Sequence, residues 1–198
     1  MKTQVLVTGA CGFLGSQIVR QAINDGLSIT ATDRIETKDL RNINYIHADI
    51  LEPESLSKFF KGIDIVCHVA GLAHIFDKME ASRAPFYEIN VVGTKNVADA
   101  AAKAGVQHFL FISSVSVYGS ESKGKNEESE CHPETPYAES KWQAEQLLID
   151  VCRRAGMNLM ILRLATLYGE GDPGNVARLI RSIDRGRFVW IGKGENLK

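Results

Sequence analysis

The chain has 198 residues, a formal net charge of -1, 44% apolar and 24% charged residues. That is enough chain for one α/β domain with a sizeable core and some additional structure. The near-neutral balance argues against a nucleic-acid partner, and no apolar run approaches the roughly 20 residues that span a bilayer.

Short apolar runs alternate with helical patterns, which predicts a parallel sheet flanked by helices. Gln4–Val7 reads as a first strand, followed by a glycine turn and a helix from Phe13 to Asp25 that ends at Gly26. Ser28–Thr32 and Asn44–Ala48 read as the second and third strands, with a short helix opening near Pro53. Asp64–Val69 is apolar almost throughout, as befits a strand buried on both faces. A helix is expected over Phe86–Ala104, a fifth strand over His108–Ser113 and a polar surface loop over Ser120–Glu134. Tyr137–Ala155 has helical spacing (Ala138, Trp142, Leu147, Leu148, Val151) closed by Gly156. Asn158–Arg163 is a sixth strand, and a short helix (Asn175–Arg185) and a strand (Phe188–Ile191) come after it. A domain ending on that last strand would leave a bare sheet edge, so further sequence is expected beyond Lys198.

Cys11, Cys67, Cys131 and Cys152 are scattered without C-x-x-C spacing, which fits reduced thiols in a cytoplasmic protein better than a disulfide frame or a zinc site.

Between the first strand and its helix stands Gly9-Ala10-Cys11-Gly12-Phe13-Leu14-Gly15. One glycine permits the turn, one admits a pyrophosphate to the backbone, and one lets helix pack on strand. The helix start offers N–H groups and a partial positive charge to phosphates. Asp33 lies 18 positions after Gly15 at the end of the second strand, placed to bond adenosine ribose hydroxyls. A carboxylate there favours NAD over NADP, although Arg34 next door could receive a 2′-phosphate.

Tyr137 and Lys141 are four apart and share a helix face. A phenol with a pKa near 10 is a poor base at neutral pH. An ammonium about 4 Å away supplies roughly 4 kcal/mol at an effective dielectric of about 20, enough to lower it by about three units. Ser114, ending the fifth strand, can hold the reacting hydroxyl or carbonyl.

These residues resemble the extended short-chain dehydrogenase/reductase family, which comprises NAD-dependent epimerases and dehydratases of nucleotide sugars. The resemblance runs through Gly9–Gly15, Asp33, Asp49-Ile50, His68–Gly71, Asn90–Thr94, Ser113–Gly119, Tyr137–Lys141 and Arg163–Gly169. It implies a Rossmann-like doubly wound sheet over residues 1–163, carrying cofactor and catalytic groups, and the start of a substrate-binding region over 164–198. By motif position it implies that Asp49 and Ile50 contact adenine and that Val69, Ala70 and Gly71 line the cofactor. Asn90 matches a helix asparagine of the cofactor edge, and Leu164 opens the stretch that positions nicotinamide and substrate. Ser114, Tyr137 and Lys141 match the catalytic set, with Lys141 also bonding the nicotinamide ribose. Family 4,6-dehydratases carry Asp-Glu after the catalytic hydroxyl residue; Val115-Ser116 stands here, which fits epimerases, dehydrogenases and reductases. Galactose-type epimerases carry asparagine where this chain has Thr166.

The resemblance therefore implies hydride transfer on a hydroxyl of a small-molecule nucleotide sugar by a protein that pairs as a homodimer. Two alternatives stay open: a reductase or dehydrogenase of a non-sugar alcohol such as a sterol or flavonoid, and a non-catalytic dinucleotide sensor. His68 is expected to be a packing residue, and His74 and His108 surface residues.

Overall fold

Six parallel strands run in the order β3-β2-β1-β4-β5-β6. They are β1 (Gln4–Thr8), β2 (Ser28–Asp33), β3 (Asn44–His47), β4 (Ile65–His68), β5 (His108–Ser114) and β6 (Asn158–Leu164). The chain winds outward from β1 to β3, then crosses back to β4 beside β1 and winds the other way. Ligands of such sheets bind at the carboxyl ends of the strands where the winding reverses. This computed structural model describes residues 2–36, 43–56, 58–73, 83–120, 124–172 and 174–189.

The helices are α1 (Phe13–Asn24), α2 (Pro53–Leu56), α3 (Arg83–Tyr87), α4 (Thr94–Ala104), α5 (Pro136–Ala155) and α6 (Asn175–Asp184). The central strands are apolar on both faces because helices cover both, while Met160 and Leu162 of the edge strand β6 stay exposed. Leu6, Val66, Phe109 and Phe111 pack with Val97, Ala101, Ala144 and Leu148 of α4 and α5. Val5, Val7, Ile29, Ala31 and Cys67 face the other way, onto Val19 and Ala22 of α1. Each fully buried side chain of this size stabilises the fold by about 2 kcal/mol.

Two sequence expectations need correction. The helix expected over Phe86–Ala104 starts earlier, at Arg83, and is interrupted by a π turn over Glu88–Gly93. Hydrophobic spacing cannot signal that widened turn, whose effect is to turn Asn90 inward, where it is buried. The strand expected over Phe188–Ile191 does not form at Phe188 and Val189, which are exposed and irregular. Residues 190 and 191, like His74, lie outside the described residues.

Helix ends obey the capping signals in the sequence. Thr135 accepts the Ala138 N–H to start α5, and Gly156, at φ 70°, ends it in the left-handed conformation. By contrast α6 buries none of its residues, and Leu179, Ile180 and Ile183 are exposed. No helix among the described residues is long and apolar enough to cross a membrane.

Candidate active site

The loop joining β1 to α1 is shaped by what its glycines lack. A Cβ on Gly15 would lie 2.0 Å from the Gly9 carbonyl oxygen, and one on Gly9, at φ +68°, would lie 2.6 Å from the Ala70 nitrogen. Gly12 is also tight, at 3.3 Å from the Gly9 oxygen. The loop therefore folds back on itself, with Gly12 N–H donating to Gly9 O at 3.1 Å. Phe13 and Leu14 begin α1, and no side chain caps that helix start. Its first N–H groups are thus aimed at the sheet edge without a side-chain acceptor. A cleft of about 380 Å³ opens there between Cys11, Gly12, Phe13, Ser16, Gln17 and Arg20 on one side and Glu170 and Gly171 on the other.

Asp33 ends β2 beside this loop. Its Oδ2 accepts the Cys11 N–H at 2.9 Å and its Oδ1 the Ile35 N–H at 3.2 Å. The carboxylate braces the glycine loop and keeps lone pairs for a further donor. The exposed Arg34 directs its carbonyl to His47 Nε2, 2.9 Å away. Asp49 accepts the Leu51 N–H at 2.9 Å, turning the chain after β3. Ile50 is packed so closely on the π turn that a Cβ on Gly93 would meet its Cδ1 at 2.5 Å. The Ile50 carbonyl accepts from Asn96 Nδ2 at 2.9 Å, tying this edge to α4.

At the end of β4, Val69 and Ala70 pass directly over Gly9, and Gly71 follows beside Asn90 and Lys141. Ala70 N–H donates to Thr8 Oγ1 at 3.2 Å. His68, buried just below, lies 2.7 Å from Thr8 Oγ1 through Nδ1 and 2.9 Å from Thr94 Oγ1 through Nε2. Burial, assisted by the Lys141 charge, pushes its pKa down to about 3, so it is neutral. Asn90 donates to the Leu72 carbonyl (3.0 Å) and Ser140 Oγ (2.9 Å), and accepts the Leu72 N–H (2.7 Å). Its amide is committed to holding the β4 exit against α5.

The structure brings Ser114, Tyr137 and Lys141 together at that edge. Ser114 ends β5 and opens a 3₁₀ turn over Val115–Tyr118, its Oγ accepting from Ser116 N–H at 3.2 Å and lying 2.9 Å from Ser116 Oγ. Leu164 stands beside it in the β5–β6 register. Tyr137 packs edge-on against Phe86, with ring centroids 6.1 Å apart. Lys141 is buried, donates to the Ile112 carbonyl at 2.9 Å and sits 4.9 Å above the Phe111 ring. A Cβ on Gly71 would come within 3.1 Å of Lys141 Nζ, so the glycine leaves room for the ammonium.

The electrostatics differ from the sequence expectation. Burial raises the Tyr137 phenol above its ordinary value, and the hydrogen bond with Ser114 opposes the rise. The Lys141 ammonium donates instead to the Ile112 carbonyl. Burial lowers Lys141 to about 8, against the pull of Glu145 in the other direction, leaving it mostly protonated at neutral pH.

Sequence reading passed over Glu145, which is fully buried one turn beyond Lys141. It forms a two-pronged pair with Arg163 of β6, at 2.7 Å to Nη2 and 3.1 Å to Nε. It also accepts from Ser113 Oγ at 2.5 Å. Arg163 Nη1 donates to Tyr118 Oη at 2.8 Å. The signal available was the repeat Tyr137, Lys141, Glu145 at four-residue spacing, with an acid among apolar neighbours.

A parallel sheet of Rossmann type thus carries, at one carboxyl edge, a glycine loop without side chains and a Ser–Tyr–Lys cluster. Residues 5–197 match the NAD dependent epimerase/dehydratase family, and the chain belongs to it. It is 36% identical, over its whole length and 59% of the relative, to N-acetyl-alpha-D-glucosaminyl-diphospho-ditrans,octacis-undecaprenol 4-epimerase of Escherichia coli O157:H7. It resembles the UDP-glucose 4-epimerase of Thermotoga maritima with UDP-glucose (TM-score 0.85, 28% identity, 98% of this chain and 67% of that one). It resembles also MoeE5 in complex with UDP-glucose and NAD (TM-score 0.82, 32% identity, 92% and 62%). The chain thus spans about three-fifths of the length of the curated relatives it matches.

Proposed function

We propose that this chain binds NAD along the carboxyl edge of its sheet and that the whole protein epimerises a sugar hydroxyl of a nucleotide sugar by reversible hydride transfer. The observation that carries this reading is the hydrogen-bonded Ser114–Tyr137 pair beside the buried, mostly protonated Lys141, at the same edge as the glycine loop. Similarity to epimerases that act on sugars carried on a diphosphate supports the substrate class.

The dinucleotide fits the site. The Gly9–Gly15 loop, with Phe13 and Leu14 at the helix start, offers a backbone cradle for its pyrophosphate, and Asp33 faces the ribose position beside it. Asp49, Ile50, Val69, Ala70 and Gly71 line the rest of the edge, and Leu164 ends it next to Ser114. NAD would supply the hydride acceptor and donor. The chain's own residues handle the proton. Ser114 Oγ would orient the substrate hydroxyl, and Tyr137 Oη, as the phenolate, would take the proton from the hydroxyl oxygen while its carbon gives up hydride and becomes a ketone. Return of proton and hydride on the opposite face of the sugar gives the epimer, with no net change in cofactor. Lys141 supplies the positive charge that stabilises phenolate once its ammonium reaches Tyr137 or the ribose.

On this reading residues 1–163 are the dinucleotide domain. Residues 164–198 begin a substrate region, to which α6 contributes the exposed apolar side chains Leu179, Ile180 and Ile183. The whole protein works in the cytoplasm as a homodimer. Calorimetry with NAD and NADP tests the first step: NAD binding at least tenfold tighter is expected, and no binding of either overturns the reading. For the whole protein, a panel of UDP- and dTDP-sugars with product analysis should show an epimer without accumulating NADH. Net NADH formation from a non-sugar alcohol would replace the epimerase reading by a dehydrogenase.

A further inference from the structure

A buried charged network lies beneath the tyrosine–lysine pair and takes no part in the proton or hydride transfer. Glu145 has no exposed surface, and an unpaired carboxylate there would be strongly unfavourable. Its four contacts come from two different strands. Ser113 Oγ approaches from β5, and Arg163 Nε and Nη2 approach from β6, with Ser113 and Arg163 opposite each other in the strand register. The guanidinium then continues to Tyr118 Oη and lies over the Tyr118 and Trp142 rings at 4.8 and 5.6 Å.

Each member adjoins a residue of the reaction centre. Ser113 precedes Ser114, Tyr118 closes the turn that Ser114 opens, Arg163 precedes Leu164, and Glu145 stands one helical turn from Lys141. We infer that Glu145, clamped by Arg163 and Ser113, is a positioning residue: it fixes the end of β5, and hence Ser114, against the α5 face that carries Tyr137 and Lys141. It also holds a negative charge behind the ammonium. This inference rests on the dinucleotide-enzyme reading above.

The charge effect has a defined sign. The titratable groups around Lys141 are Tyr137 and Glu145 on its own helix and His68 on β4, with Arg163 on β6 beyond Glu145 and Cys131 beside that pair. His68 stays neutral at working pH, and the Arg163 charge is balanced by Glu145. Glu145 therefore acts to keep Lys141 protonated, in opposition to burial. Removing it leaves burial and Arg163 to lower the proton affinity of Lys141. Glu145 acts on Tyr137 through the placement of Ser114, since the phenol responds to burial and to the Ser114 hydrogen bond.

The test uses the chain labelled with ¹⁵Nζ-lysine and ¹³Cζ-tyrosine, monitored by NMR against pH. Loss of signal in K141R and Y137F assigns the two resonances, and NAD affinity is measured in parallel by calorimetry. E145Q is expected to move the Lys141 midpoint down by about one pH unit while NAD affinity stays within about threefold. S113A removes one bond and no charge; it is expected to leave the Lys141 midpoint in place and raise that of Tyr137, because Ser114 loses its register. E145D, which keeps the charge, should restore the Lys141 midpoint. Unmoved midpoints in folded E145Q and S113A overturn the inference; should E145Q fail to fold, the Tyr137 midpoint in S113A decides alone. A parent chain that binds no NAD would instead overturn the dinucleotide reading, whatever the midpoints do.

Discussion

The glycine loop and the tyrosine–lysine helix face the same edge of the sheet, yet one is built from backbone and the other from side chains. At Gly9 and Gly15 the approach of β1, α1 and the β4 exit is so close that a single added carbon would collide with main-chain atoms. Around Lys141 and Glu145, both buried, nearly every contact is a side-chain hydrogen bond or ion pair. A backbone site fails all at once when its space is filled, because main chain cannot yield without moving a strand. A side-chain site keeps its shape through conservative changes and loses chemistry or proton affinity instead. The two halves should therefore respond to mutation in different currencies, one in folding and one in rate.

The sharpest way to break that comparison is Gly15→Ala. Its methyl carbon would meet the Gly9 oxygen at 2.0 Å, so the expected loss is about 4 kcal/mol or more of stability, read by thermal melting, together with NAD binding. A variant that melts and binds like the parent would show that the loop is roomier than its geometry. Tyr137→Phe should do the opposite. In the whole protein turnover should fall about 10³-fold while NAD affinity and melting stay near the parent's, because the lost hydroxyl moves the proton and does not shape the fold. Rate retained within tenfold would remove Tyr137 from the proposed mechanism.

Asp33 sharpens the boundary between the halves, being a side chain in the service of the backbone. Asp33→Ala leaves the Cys11 N–H without its acceptor and takes away the proposed ribose partner. NAD affinity is expected to drop about tenfold to a hundredfold, worth roughly 2 kcal/mol, with a smaller fall in melting temperature without NAD. Unchanged affinity together with a lower melting temperature would confine Asp33 to bracing the loop.

How much of this was legible beforehand divides along the same line. The six strands of the sheet, α1 and α5 were readable because apolar runs and glycine caps encode them locally. The glycine spacing Gly9, Gly12, Gly15 announced the loop, since only missing side chains leave a pattern in sequence. Ser114, Tyr137 and Lys141 were readable as residues, but not the proton affinity of Tyr137: that depends on how deeply Phe86 and the neighbouring chain bury it. Glu145, Arg163 and Ser113 sit on three separate elements, and only the β5–β6 register puts them in contact. The π turn at Asn90 was hidden because one extra residue in a helical turn does not disturb hydrophobic spacing visibly.

The buried histidine offers the gentlest test, and it probes the junction of the two halves. His68 links Thr8 of β1 to Thr94 of α4 as a neutral ring, where Glu145 and Arg163 join their elements through charge. Its pKa falls from the ordinary 6.5 to about 3 in the folded chain. The unfolded chain therefore binds a proton at His68 between those values and the folded chain does not, so acid favours unfolding. Above about pH 6.5 this contribution to stability is fully present, and it is lost progressively down to about pH 3, by about 1 kcal/mol per pH unit. His68→Gln, which can still bridge two hydroxyls, should flatten the dependence of denaturant midpoint on pH across that window while leaving neutral-pH stability the less affected. An equal slope in parent and variant would mean that the acid sensitivity of the fold does not reside in the Thr8–His68–Thr94 bridge.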